Sequence, residues 1–200
     1  MPLFSIILTL ILIHIIPLYR VPRNETCTRW EEIGGITRSI ASLANAAETP
    51  CEIKLLNRAD TVTVGLENDL SVNLGRVQCL MADVPRGETP ICKKVREVIA
   101  KMKEIEGSLR DANLIALLII LSDGPATDGD LVSEMKPLEG MPVQVIVRVC
   151  SDESPVIEYW HDVNAQCDIN FLVLDDIEVN IITHTQTRAQ TLRSLYYYVQ

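Results

Sequence analysis

The sequence predicts an α/β fold built on a mostly parallel β-sheet, and two observations support this prediction. Residues 114–121 are eight successive apolar residues, a run too short to cross a bilayer and too uniform to face water on one side. Segments with strand and helix patterns also alternate along the chain, which is typical of parallel strands joined by right-handed crossovers. We therefore expect a single sheet in which residues 114–121 form a strand buried on both faces.

Length and composition limit the class of protein. The chain has 200 residues, enough for one domain, and its composition of 48% hydrophobic and 22% charged residues excludes a disordered chain. A net charge of -9 and only 4% aromatic residues disfavour nucleic acid as a partner, because phosphates need a basic surface and bases need stacking platforms. The densest basic residues alternate with glutamates and predict the solvated face of a helix. They are Lys93, Lys94, Arg96, Lys101 and Lys103.

The six cysteines are scattered and form no C-x-x-C pair, so neither a zinc site nor a redox motif is indicated. Cys51 and Cys150 lie beside apolar runs, and we expect both to pack in the core. The even number of cysteines would permit disulfides in a secreted chain, and the sequence leaves the compartment open. The cysteines are Cys27, Cys51, Cys79, Cys92, Cys150 and Cys167.

The apolar segment at residues 3–18 has two main interpretations. It resembles a membrane anchor or uncleaved signal, with Arg20 and Arg23 holding the following domain in the cytoplasm, although His14 and Pro17 interrupt a run that is short for a span. It also resembles a buried strand, because its many isoleucines are β-branched and fit a pleated sheet. The sequence leaves both interpretations open.

Further elements follow from periodicity and from turn and capping residues. We expect Thr89 to be the N-cap of a helix with Pro90 at its first position, and Thr127 to cap the helix after the central strand. The predicted helices cover residues 29–47, 72–81, about 91–105, 128–136 and 154–163. The other predicted strands cover residues 51–56, 61–64, 143–149 and 169–174, the first two joined as an antiparallel hairpin by the turn at residues 57–60.

The end of the central strand is the candidate ligand site. Ser122, Asp123, Gly124 and Pro125 stop the apolar run abruptly and place a carboxylate at its carboxyl end. Open α/β sheets bind their ligands outside this end of their strands. The sequence therefore predicts that Asp123 belongs to a binding site.

Several phrases of the chain, taken in order, resemble the von Willebrand factor type A domain, in particular the intracellular variety of protists and other eukaryotes. The resemblance covers residues 28–176 and implies a doubly wound, Rossmann-like sheet with helices on both faces, which binds proteins and is not an enzyme. It divides the chain into residues 1–23, a vWA-like domain at 24–176, and a divergent tail at 177–200. The phrases are TRWEEIGGITRSIASLA, CEIKLLNRADTV, GETPICKKVREVIAKM, LLIILSDGPATDGDLVSEMKPL and MPVQVIVRVCSDESPVIEYWHDVNAQCDINFLVLDD.

The resemblance also implies a metal-ion-dependent adhesion site. In this family Mg²⁺ is held by an Asp-x-Ser-x-Ser motif, a threonine and an aspartate; Thr89 in GETP and Asp123 in LSDG match the last two. Residues 1–29 contain no such motif, and only Asn24 and Glu25 offer substitutes there. We therefore expect an incomplete site without a bound cofactor, which would take Mg²⁺ only if other groups supplied the missing ligands.

The expected function is a non-catalytic protein-interaction domain that is cytoplasmic, or anchored to a membrane with its domain in the cytoplasm, and that binds a protein partner through an acidic side chain. The alternative is a metal-dependent hydrolase on the same architecture, in which Asp123 and either Asp128 or Asp130 would hold the metal. The sequence shows neither a Ser–His or Cys–His nucleophile arrangement nor a glycine-rich nucleotide-binding loop.

Overall fold

The structure, a computed structural model, describes residues 6–14, 29–66, 69–82 and 87–174, and in these it is an α/β fold with five α-helices and six strands. The elements in chain order are β1 (Ile6–His14), α1 (Arg29–Ala46), β2 (Cys51–Leu55), β3 (Thr61–Val64), α2 (Leu70–Met81), α3 (Ile91–Asp111), β4 (Ile115–Ser122), α4 (Leu131–Met135), a 3₁₀ turn (Lys136–Leu138), β5 (Val143–Val149), α5 (Ser154–Gln166) and β6 (Asn170–Leu174).

The strands form one sheet in the order β3-β2-β1-β4-β5-β6. All neighbouring pairs are parallel except β2 and β3, which are antiparallel, so the mostly parallel sheet and the hairpin predicted from the sequence are confirmed. The chain builds outward from β1 to β3 and then returns to the other side of β1 with β4. The carboxyl ends of the five parallel strands therefore lie along one edge, which we call the carboxyl edge.

The N-terminal apolar segment contributes a strand to the middle of this sheet. β1 lies between β2 and β4, and its residue Ile11 is in register with Ile53 on one side and Ile119 on the other. The strand interpretation of the segment is therefore the one that the structure has. Among the helices that the structure describes, none combines the length and apolar character that a membrane span requires.

The core lies on both faces of the sheet, and β4 contributes to each. Ala116, Leu118 and Ile120 belong to the same buried cluster as the apolar residues of α3, α4 and α5. Leu117 and Ile119 belong to a second cluster with residues of α1, α2 and β2. Because successive side chains of a strand point to opposite faces, burial of both faces requires an uninterrupted apolar run.

The predicted start of α4 is wrong. The helix covers Leu131–Met135 and not residues 128–136, and its N-cap is Asp130, not Thr127. Gly129, with φ +152°, has a backbone conformation that does not continue a helix. The other predicted elements within the described residues are present, but their ends shift. The helix α2 begins at Leu70 because Asp69 caps it, and α3 continues to Asp111, six residues beyond its predicted end.

The alternation of charges predicts that the basic residues of α3 are solvated, and for Lys94 this prediction is wrong. Lys93 and Arg96 are exposed, but Lys94 is only 5% exposed. Its ammonium group donates to both carboxylate oxygens of Glu97, at 3.2 and 3.1 Å. Its aliphatic stem can therefore be buried while the charge stays paired.

The edge strand β3 ends in a tight contact. Gly65 has φ +85°, and a Cβ built on it would lie 2.0 Å from the carbonyl oxygen of Thr49. Arg76 on α2 donates from Nη1 to the carbonyl oxygen of Thr63, at 3.5 Å. These contacts fix the end of β3 against the α1–β2 turn and against α2.

We predict that Gly65→Ala lowers the free energy of unfolding by about 3 kcal/mol, because alanine disfavours positive φ and its Cβ would clash with a backbone oxygen. Gly107→Ala is the matched control: Gly107 is exposed inside α3, and its Cβ would meet nothing within 4 Å. We expect it to raise stability by about 0.5 to 1 kcal/mol. Urea denaturation measures both changes, and equal stabilities for the two variants would contradict the described geometry.

We also predict that deletion of residues 1–14 abolishes cooperative unfolding. The deletion removes β1, on which both β2 and β4 depend for backbone hydrogen bonds. Calorimetry of the full and truncated chains makes the comparison. A sharp thermal transition in the truncated chain would show that β1 is dispensable.

Candidate functional site

The carboxylate of Asp123 is carried directly by the end of β4. Asp123 is the residue after Ser122 and is 8% exposed. The Ser122 hydroxyl donates to the carbonyl oxygen of Gly124 at 3.0 Å and accepts from the Gly124 N–H at 3.3 Å. The Cys150 N–H, at the end of β5, donates to the Ser122 carbonyl at 2.8 Å. The backbone around Asp123 is thus fixed at the carboxyl edge, as the sequence predicted.

Thr89, the second predicted site residue, lies just before α3 and is 1% exposed. Its N–H donates to Oγ1 of Thr127 at 3.0 Å, and the Thr127 N–H donates back to the Thr89 carbonyl at 3.1 Å. Thr127 is in the loop of residues 123–130, which we call the Asp123 loop. The structure therefore brings together the two segments that carry Thr89 and Asp123.

Asp128 attaches the same loop to α3. Its Oδ1 accepts from the N–H of Cys92 at 3.0 Å and its Oδ2 from the N–H of Lys93 at 2.8 Å. These amides lie in the first turn of α3, where N–H groups have no partner within the helix. The expectation that Thr89 caps α3 is wrong, because the N-cap position is held by Pro90, which makes no side-chain hydrogen bond. The carboxylate of Asp128 acts as the cap instead.

Asp130 caps α4 in the same manner. Oδ2 accepts from the Ser133 hydroxyl at 2.6 Å and Oδ1 from the Val132 N–H at 3.2 Å. The Ser133 hydroxyl, with the backbone donors of this turn, holds the pKa of the Asp130 carboxyl below its ordinary value. Both carboxylates that could join Asp123 in a metal site are therefore directed at the N-terminal ends of helices.

Tyr159 on α5 supports the Asp123 loop from a third element. Its hydroxyl accepts from the N–H of Ala126 at 3.3 Å. Its ring packs edge-on against Trp160, with ring centroids 5.3 Å apart, and burial raises the pKa of its hydroxyl. The Asp123 loop is thus held by residues of α3, of α5 and of the segment before α3.

The described residues contribute few groups for a metal ion. They contain no cluster of three or more His, Cys, Asp or Glu side chains in a position to hold one. Thr89 and Asp123 contribute a hydroxyl and a carboxylate, which are oxygen ligands of the kind that Mg²⁺ prefers, but a complete octahedron requires more. Asn24 and Glu25, the substitutes considered from the sequence, lie outside the described residues.

No protein-family model matches this chain, and no curated protein matches it.

Some roles at this site were not predicted from the sequence. The capping of α3 by Asp128 joins residues that are 36 positions apart, and the contact between Tyr159 and Ala126 joins residues 33 apart. Capping rules describe only neighbouring residues, so they gave no signal for either contact. The number of aspartates in DGPATDGD is a signal for such roles, since a loop carboxylate can accept hydrogen bonds from backbone N–H groups.

The described cysteines are free thiols, and two of them, Cys51 and Cys92, are fully buried beside carboxylates. Cys51 and Cys92 are both 0% exposed. Burial, and then the neighbouring carboxylates of Glu52 and Asp128, raise the pKa of Cys51 and of Cys92 to about 12. The expectation that Cys51 and Cys150 pack in the core is confirmed, since Cys150 is 7% exposed.

We predict that Cys51 and Cys92 do not react with a thiol reagent at pH 8 in the folded protein. A pKa of about 12 lies four units above this pH, so about one thiol in ten thousand would be ionised, and only the thiolate is nucleophilic. Cys79, which is exposed, is the internal control and should react before Cys51 and Cys92. Peptide mapping after labelling, with and without urea, tests this; native labelling of Cys92 at the rate of Cys79 would contradict it.

Proposed function

We propose that this chain is a protein-interaction domain of the von Willebrand factor type A kind, with a doubly wound, Rossmann-like sheet and an incomplete metal-ion-dependent adhesion site. The strand order supports the proposal. The chain adds β2 and β3 on one side of β1 and then β4, β5 and β6 on the other, so the strand order reverses between β1 and β4. Open α/β sheets bind their ligands in the crevice at such a switch point, outside the carboxyl ends of the strands. Asp123 follows β4 and therefore lies beside this crevice.

One observation carries the proposal: Thr89 and Thr127 exchange hydrogen bonds across 38 residues of sequence. The resemblance selects Thr89 and Asp123 as ligands from two distant segments, and a shared site requires these segments to be in contact. Thr127 lies four residues after Asp123, so the exchange joins the two loops. The two residues proposed as ligands are therefore carried by segments that are in contact with each other.

The chemistry of the partner follows from the charge of this edge. Asp123 is joined there by Asp152 and Glu153, which follow β5 and are exposed. These carboxylates would repel an acidic side chain, and a divalent cation would reverse that repulsion. We propose that Thr89 and Asp123 hold Mg²⁺ weakly, and that an acidic side chain of a protein partner completes its coordination.

The hydrolase alternative is less well supported. Asp128 and Asp130, its additional metal ligands, are both occupied with backbone donors at helix N-termini. A metal would have to displace these charge-assisted bonds or share the same oxygens. We therefore propose that the chain is not an enzyme. We also propose a cytoplasmic location, because residues 6–14 of the candidate anchor form a strand of the sheet.

We predict that calorimetry with MgCl₂ or MnCl₂ detects no submillimolar binding to the wild-type chain alone, because the described ligands are too few for a closed coordination sphere. Asp123→Ala tests the assignment of the site, and Asp111→Ala, which removes an exposed carboxylate at the end of α3, is its control. Submillimolar binding that Asp123→Ala removes and Asp111→Ala retains would overturn the claim of an incomplete site.

Partner binding is tested by capture from an extract of the source cells, with the wild type and the same two variants immobilised. We expect a protein that the wild type and Asp111→Ala capture with Mg²⁺ present, and that is lost with Asp123→Ala or with EDTA. Identical capture by all three chains would refute the proposed site. Turnover of p-nitrophenyl phosphate or acetate with Mn²⁺ that is abolished by Asp123→Ala would instead favour the hydrolase.

A further inference from the structure

We propose that Asp128 is a positioning residue that holds the Asp123 loop against the first turn of α3 and so fixes Asp123 relative to Thr89. We call the hydrogen bonds between Thr127 or Asp128 and residues 89–93 the clasp. The purpose of the clasp rests on the proposed function, because it positions the two proposed ligands. Its existence as a mechanical unit does not, and it can be tested without any ligand.

The carboxylate of Asp128 caps the N-terminal end of α3. Each of its carboxylate oxygens accepts from a different amide, and the two amides are consecutive, at Cys92 and Lys93. Bonds from N–H groups to a charged carboxylate are stronger than neutral ones, and the N-terminus of a helix carries partial positive charge. α3 has 21 residues and no side-chain cap from its own N-cap residue. The cap therefore comes from a different segment, so capping the helix also fixes that segment.

The Asp123 loop also packs closely on α3. Gly129 follows Asp128, has φ +152°, and has the Sγ atom of Cys92 at 3.5 Å from the position that a Cβ would take. The backbone of the loop thus passes directly over the side chain of Cys92, which is itself fully buried. A loop that is both bonded and packed on the helix has little freedom to move away from it.

Asp128 is linked to both proposed ligands, Thr89 and Asp123, through its own loop. Thr127, its neighbour, bonds Thr89 through two hydrogen bonds, whereas Asp123 lies five residues before Asp128 in the same loop. Two ligands on separate segments act together only if supporting residues fix their relative position. Asp128 and Thr127 supply this support from one side and Tyr159 from another.

A purely local cap is the competing explanation, and the chain provides a matched control. Asp130 caps α4 by the same chemistry, but its partners Val132 and Ser133 follow it directly in the sequence. Loss of Asp130 should loosen α4 alone. Loss of Asp128 should loosen residues beyond the two amides that its carboxylate binds, namely Thr89 and Thr127.

The experiment is amide hydrogen exchange of the full chain, read residue by residue and normalised to Leu118 in β4 to remove changes in global stability. We expect Asp128→Ala to speed exchange at Cys92 and Lys93 by about tenfold or more, the size of a lost charge-assisted hydrogen bond. We expect a similar effect at Thr89 and Thr127. Asp130→Ala should speed exchange at Val132 and leave these four amides within about twofold of the wild type. Asp128→Asn, which keeps one acceptor oxygen, should give intermediate rates and serves if the alanine variant does not fold.

Faster exchange confined to Cys92 and Lys93 would overturn the proposal, because Asp128 would then be a cap and nothing more. Unchanged exchange at all four amides would also overturn it. Failure of the proposed function has a different signature: the exchange pattern would appear as expected, but partner capture would not depend on Asp123. If both proposals hold, Asp128→Ala lowers capture and Asp130→Ala does not.

Discussion

The burial of β4 on both faces is the constraint on which the rest of the structure depends. A strand covered on both sides has no polar alternative along its length, so the first polar residues can appear only where it leaves the sheet. In this chain that place is Ser122–Asp123, where the strand reaches the carboxyl edge. The same apolar run thus forms the centre of two hydrophobic clusters and determines where a carboxylate can emerge.

The carboxyl edge illustrates how short polar side chains organise a loop that has little hydrophobic material. The Asp123 loop contains three aspartates, two glycines and one threonine, and its polar side chains have distinct roles. Thr127 exchanges two hydrogen bonds with the backbone of Thr89. Asp128 accepts from the free amides in the first turn of α3, and Asp130 accepts from those of α4. The polar side chains of Thr127, Asp128 and Asp130 therefore connect the loop to α3 and α4. Of the loop residues, our proposal assigns only Asp123, next to β4, to a ligand.

The sequence predicted those features that depend on neighbouring residues or on periodicity. The uniform run of β4, the hairpin of β2 and β3, and the apolar stripes of α1 and α3 have signals within a few residues, and all are present. Contacts between distant segments had no such signal. The replacement of Thr89 by Asp128 as the cap of α3 and the burial of Lys94 depend on which segments meet in space, and no local pattern encodes that. Even the N-terminal run, equally apolar as strand or anchor, acquired its assignment only from its register with β2 and β4.

The central position of β1 has a consequence for synthesis of the chain. Translation proceeds from the N-terminus, so β1 leaves the ribosome well before β4; Ile11 pairs with Ile119, which is 108 residues later. At about 5 to 20 residues per second, the neighbour arrives after roughly 5 to 20 seconds. During that interval the apolar segment of β1 lacks its neighbour β4 on one side and is prone to self-association. Nascent chains of this protein should therefore need a chaperone to shield β1 until β4 has emerged.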